Sequence, residues 1–159
     1  MRYFLDTEFD VTDGGQLRAL ISVGVVSEDG RSFYAENADW DPTHANDFLK
    51  HSVVPQLWGG KYRVPPEKIR QGLVDLTAGD PQAQFWAYYG SHDWVFICML
   101  FGGFFSLPKN WDRCCYELKQ WMAGANLPRS QWPAQSSGEH HALTDATWNR
   151  DVFLWGKLR

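Results

Sequence analysis

The sequence holds too few cysteines to be stapled. Its three, Cys98, Cys114 and Cys115, are odd in number with two adjacent, a spacing that fits neither a disulfide framework nor a zinc site. They read as reduced thiols of a cytoplasmic protein. Excess positive charge is also missing. Fifteen Lys and Arg stand against nineteen Asp and Glu, a net charge of −4, so no broad basic surface invites nucleic acid. A nucleic-acid ligand would need bound metal ions or a local cluster of Lys and Arg. Nor is there a run long enough to cross a bilayer: the longest apolar stretch, WVFICMLFGGFF at 94–105, has twelve residues and two glycines. The chain reaches Asp6 after only three apolar residues, too few for a signal-peptide core, and it carries no repeats or low-complexity tract. A cytoplasmic protein with no membrane association is expected.

What is abundant is aromatic surface. Phe, Trp and Tyr make up 16% of the 159 residues, with nine Trp. That surplus implies an aromatic core, stacking surfaces for bases or sugars, or a subunit interface. The length suits one domain spanning 1–159, large enough to bury its own core.

Periodicity and turn residues give a coarse order. Strands are expected at roughly 2–8, within 17–30 and at 31–37, the second and third joined at hairpin spacing after a Glu-Asp-Gly turn. A short helix capped by Thr43 fits 43–57. A clearer one fits 64–79, with Pro65–Pro66 at its start, Ile69, Leu73 and Leu76 on one face, and Gly79 as its stop. A buried strand follows at 83–90, then a helix capped by Ser91 that reaches about Phe101. A last strand at 111–118 runs into a short helix ended by Gly124, and a closing helix occupies the end of 136–158. This order predicts an α/β fold: a mixed five-stranded sheet with helices on both faces.

Carboxylates gather where chemistry favours them. In RYFLDTEFD, Asp6 and Glu8 follow Tyr3-Phe4-Leu5 at strand spacing and so share a face. Two half-buried carboxylates side by side repel and cost several kcal/mol without a partner, a cost that hard divalent cations would remove. Asp93 lies in the first turn of a helix after a buried strand, and Asp145 on the closing helix, five residues after His140. Singly, Asp93 is explained as a helix N-terminal carboxylate, Asp145 as an exposed helix residue, and His140 and His141 as solvated residues at a helix start.

Together, DTEFD, YYGSHDWVF and HHALTDA resemble the three-motif pattern of the DEDDh 3′→5′ exonucleases: D-x-E, a mid-chain Asp, and H-x-A-x-x-D. The resemblance spans the whole chain and is nearest to the ribonuclease T-like and polyadenylate-specific enzymes of that family. It implies a ribonuclease H-like fold, two Mg²⁺ or Mn²⁺ ions held by Asp6, Glu8, Asp93 and Asp145, and His140 as general base, with His141 the fallback. It also implies a homodimer, single-stranded RNA 3′ ends as substrate, release of nucleoside 5′-monophosphates and a preference for adenosine. For gripping bases, Phe9 is the first candidate because it follows Glu8. Trp58 in QLWGGKYR is the second, because glycines flank it and Lys61 and Arg63 are close by. Glu8 and His140 would also touch substrate. Tyr89 and Trp94 are assigned to the core. On the closing helix, Ala142, Ala146 and Phe153 form one apolar face and Trp148, Val152 and Trp155 a second, which implies burial all round or a dimer face. A DNA exonuclease of the same family and a non-catalytic nucleic-acid-binding module remain open alternatives.

Overall fold

The structure, a computed structural model, describes residues 1–12, 14–135 and 138–159. Its strands are β1 (Arg2–Val11), β2 (Leu17–Ser27), β3 (Ser32–Asn37), β4 (Arg63–Val64), β5 (Ala83–Ala87) and β6 (Trp111–Glu117). The helices are α1 (Pro66–Leu76), α2 (Ser91–Leu100), α3 (Leu118–Gly124) and α4 (Ala142–Lys157). The strands form one mixed sheet in the order β4-β3-β2-β1-β5-β6. β1, β2 and β3 are an antiparallel meander, whereas β5 joins β1 and β6 joins β5 in parallel.

Central strands covered on both faces should be apolar on both faces, and β1 is. Tyr3 and Leu5 pack with Val23, Val25 and Phe85 beneath Ile69 and Leu73 of α1 and Ile97 of α2. Phe4 points the other way, into a second core with Trp86, Leu118 and Met122 of α3, and Trp148, Val152 and Phe153 of α4. Helices therefore cover both faces, as expected. The sheet has six strands and not five: β4, two residues long and paired with β3 at Glu36 and Asn37, is too short to leave a periodic signal.

Three other expectations are corrected. The segment 43–57 is a series of short helical turns and not one helix: the chain turns extended at Ala45 after the first turn, and Pro55 ends the longer middle one. Its first turn is capped by Asp41, whose Oδ1 accepts from the Thr43 amide at 2.9 Å, so Thr43 lies inside that turn. Ser91 is the first residue of α2 rather than its cap, which is Gly90.

The placement of α4 depends on one glycine. Gly24 lies opposite both Asp6 and Tyr34 in the sheet. A Cβ there would stand 2.3 Å from the Ala142 carbonyl carbon and from the Leu143 nitrogen. The first turn of α4 thus rests directly on the backbone of β2, beside Asp6. A Gly24→Ala variant is expected to lose about 1–3 kcal/mol from overpacking, read by chemical denaturation. Wild-type stability in that variant would mean that α4 can move aside freely.

Candidate active site

The site begins where β1 and β5 part. Their parallel pairing covers only Arg2–Phe4, while β1 continues to Val11. Past Phe4 the free edge of β1 has backbone groups that need partners. Two helices supply them. The Leu5 carbonyl accepts from Nδ2 of buried Asn149 on α4 at 3.1 Å, and the Thr7 amide donates to Asp93 Oδ1 on α2 at 2.7 Å. The Thr7 hydroxyl donates to the same oxygen, also at 2.7 Å. Asp93 is thereby carried to the strand edge that bears Asp6 and Glu8. The β5–α2 turn is held in turn by Glu117, whose carboxylate accepts from the amides of Tyr89 and Gly90 at 3.0 Å.

Asp6 is half-buried and Glu8 is 8% exposed. Asp145 enters from the first turn of α4. Its Oδ2 accepts from the His140 amide at 3.0 Å, and its Oδ1 accepts from the Gln135 side chain. One ligand atom each from Glu8, His140 and Asp145 lie within 4.8 Å of one another. Asp6, His140 and Asp145 also line a cavity of about 190 Å³ together with Tyr88, Arg129 and Asn149.

No side-chain cation among the described residues pairs with Asp6, Glu8, Asp93 or Asp145. Their proton affinities reflect that. Burial, then repulsion from Asp93, Glu8 and Asp145, holds the Asp6 carboxyl well above its usual range. Burial and repulsion from Asp145 and Asp93 push Glu8 up to about 8. Burial raises Asp93 to about 6 against the two Thr7 hydrogen bonds, and burial raises Asp145 against those from Gln135 and His140. Crowded carboxylate oxygens that resist ionisation unaided are a donor set suited to hard divalent cations, which coordinate oxygen and stabilise the ionised form.

The two adjacent histidines have different surroundings. His140 is exposed, sits at φ +68° and meets the half-exposed Phe48 ring edge-on at 5.0 Å. A non-glycine residue in that region is uncommon and points to a constrained loop. Gln56 contributes to the constraint by donating to the Glu139 carbonyl. His141 is buried at the start of α4, where Nδ1 accepts from the Thr144 amide at 3.4 Å. Its ring stacks on Tyr34 at 4.5 Å and lies 4.7 Å from Trp58, and burial lowers its pKa.

The predicted stacking residues lie in different settings. Trp58 is half-exposed and forms the outer part of an aromatic cluster with Tyr34, Tyr62 and His141. Buried Glu36 ties that loop down by accepting from the Trp58 amide at 2.6 Å, the Gly59 amide at 3.0 Å and the Tyr34 hydroxyl at 3.0 Å. Gly59 and Gly60 adopt φ of +62° and +55°, so the glycines beside Trp58 serve the turn. Phe9 is half-exposed and stacks on Phe96 of α2 at 5.0 Å. Trp94 packs against the core as expected, but Tyr89 is 58% exposed, with the Lys119 ammonium 4.3 Å above its ring. The Trp148 and Val152 face of α4 is consumed within the protomer. Thr7, Glu36, Gln135 and Asn149 gave no sequence signal as site residues.

The chain is similar to known proteins over nearly its whole length. The model of the Rv2179c-like 3′-5′ exoribonuclease domain matches residues 1–155. The chain is 36% identical over 155 residues to the 3′-5′ exoribonuclease Rv2179c of Mycobacterium tuberculosis strain H37Rv, covering 92% of this chain and 87% of the relative. The 3′-5′ exoribonuclease MT2234.1 of strain CDC 1551 matches to the same extent. The chain belongs to the Rv2179c-like 3′-5′ exoribonuclease family. A chain in the solved structure of the yeast NOT1 MIF4G domain co-crystallized with CAF1 shares the fold, with a TM-score of 0.50 at 13% identity, covering 99% of this chain and 79% of that one.

The raised pKa of Glu8 makes stability depend on pH. In the metal-free fold it titrates near 8 against 4.5 for the free side chain, so the folded state holds the proton more tightly. Its contribution favours folding below the unfolded value and is lost as pH rises through the folded one. The Tm of metal-free protein is therefore expected to fall from about pH 5 to about pH 8, less so in Glu8→Gln, and to recover with Mg²⁺ or Mn²⁺. A Tm that climbs across that window without metal would contradict the assignment.

Proposed function

We propose that the protein is a metal-dependent 3′→5′ exoribonuclease with a ribonuclease H-like fold, of the DEDDh type. It would shorten single-stranded RNA from its 3′ end and release nucleoside 5′-monophosphates. The observation that carries this reading is the meeting of Glu8, His140 and Asp145 within 4.8 Å, with Asp6 on the same strand face and Asp93 held to Thr7 of that strand, and with no side-chain cation among the described residues to balance the acids. Family membership supplies the substrate class. The motif resemblance supports the finer points: a preference for adenosine and poly(A), a homodimer and a cytoplasmic location. Among the described residues no helix is long and apolar enough to cross a membrane.

Asp6, Glu8, Asp93 and Asp145 would hold two Mg²⁺ or Mn²⁺ ions. Such ions activate water and stabilise the leaving 3′-oxygen of an in-line displacement. His140, exposed beside Glu8 and Asp145, would accept the proton of the attacking water on its imidazole. His141 would hold the start of α4 and the Tyr34 and Trp58 rings in place. The half-exposed rings of Trp58 and Phe9 would stack on bases near the 3′ end, each for about 1–3 kcal/mol. Asp93 would be fixed by Thr7 and Asp145 by Gln135, so the carboxylates are oriented before substrate arrives.

A time course on 5′-labelled oligo(A) and its deoxy counterpart tests this reading. Wild type with Mg²⁺ is expected to give a ladder shortening from the 3′ end of the RNA, abolished by EDTA. Asp6→Ala should abolish the ladder under the same conditions. His140→Ala should lower kcat about 10²–10⁴-fold at unchanged Tm, whereas His141→Ala should lower Tm by loss of its cap and stacking. Equal digestion of DNA would replace the substrate assignment, and cleavage that survives EDTA would overturn the metal role.

A further inference from the structure

Beyond the carboxylate crevice, the chain has a groove of about 430 Å³, within the range of small-ligand sites, about 300–1,000 Å³. Tyr88 and Arg129 line both this groove and the cavity that contains Asp6, His140 and Asp145, so the two spaces adjoin. Its other lining residues include Lys119, Asn126, Leu127 and Trp132, and no carboxylate. That is unusual for a chain of net charge −4. The Arg129 guanidinium rests 5.2 Å from the Trp132 ring centre and 4.8 Å from that of Trp148, which fixes an exposed cation at the boundary between cavity and groove. The Lys119 ammonium, a second lining cation, lies against the Tyr89 ring. Among the described residues neither cation is within ion-pair distance of a carboxylate. Tyr88 meets Trp132 edge-on at 5.6 Å, giving the groove an aromatic wall.

Resting on the exoribonuclease reading, we infer that this groove binds the RNA strand on the 5′ side of the scissile phosphate, with Arg129 and Lys119 on successive phosphates and Tyr88, backed by the buried Trp132, against a base. Aromatic surfaces interleaved with cations along a track are how single strands are held without sequence readout. An exonuclease substrate continues beyond its cleavage site in the 5′ direction only. A track that leads away from the carboxylates therefore suits the retained strand, while the single departing nucleotide needs no second site. The local basic pair also supplies what the overall charge lacks.

The test is chain-length dependence. For wild type, Lys119→Glu and Arg129→Gln, kcat/KM is measured on oligo(A) of two and of six nucleotides across a range of salt, with circular dichroism to confirm folding. Each substitution is expected to reduce the six-to-two ratio of kcat/KM about tenfold, and to make the salt dependence on the hexamer shallower by about 0.7 in log–log slope per lost phosphate contact. An unchanged ratio and slope would overturn the proposal while leaving the enzyme reading intact. Equal losses on both lengths would also overturn it, by putting the terminal nucleotide in the groove. A wild-type protein that cleaves neither oligomer would contradict the exoribonuclease reading itself.

Discussion

The crowding of carboxylates in a largely buried crevice is the constraint on which this molecule turns. Asp6 and Glu8 stand two residues apart on one strand face, and Asp93 and Asp145 are brought to them from separate helices. Burial raises all four proton affinities, and repulsion from the neighbouring carboxylates adds to it at Asp6 and Glu8, so the metal-free fold stores a cost that divalent cations would relieve. A structure that keeps such a cost must hold the groups firmly, or they would move apart into water.

The firmness comes from neutral contacts. β1 loses its β5 partner after Phe4, and its exposed edge is completed by Asn149 and Asp93, so the secondary-structure requirement of a strand doubles as the positioning of an acid. Gly24 permits α4 to lie against β2, which sets Asp145 and His140 beside Glu8. On the far side of β2, Glu36 fixes the Trp58 loop, and that loop, through Trp58 and Tyr34, encloses His141. Sheet, helices and loops converge on one edge, where ligand sites of open α/β sheets gather.

Parts of this arrangement could be read directly from the chain. The period of two in β1 puts Asp6 and Glu8 on one face whatever the rest of the fold does. The stretch 136–158 reads as a loop followed by a helix, and α4 does start at Ala142. The helix at 64–79 was announced by its prolines and its apolar spacing. Other parts depend on partners remote in sequence. That Asp93 serves Thr7, 86 residues away, follows only once the end of the β1–β5 pairing is known. β4 exists only because β3 offers it an edge, and two residues carry no period. Asn149 and Arg129 look like ordinary polar residues until the sheet edge and the tryptophans beside them are in place. The Trp148 and Val152 face was legible as apolar, but whether it faced a core or another subunit required the position of α3.

The most direct test of the account is calorimetric titration of metal-free protein with Mn²⁺ near pH 7, repeated in two buffers of different ionisation enthalpy. Carboxyls that hold protons at neutrality because of burial and of one another must release them when cations bind. Two ions per chain are expected, with net proton release that diminishes in Glu8→Gln. Binding without proton release, or no binding to the wild-type protein, would contradict it.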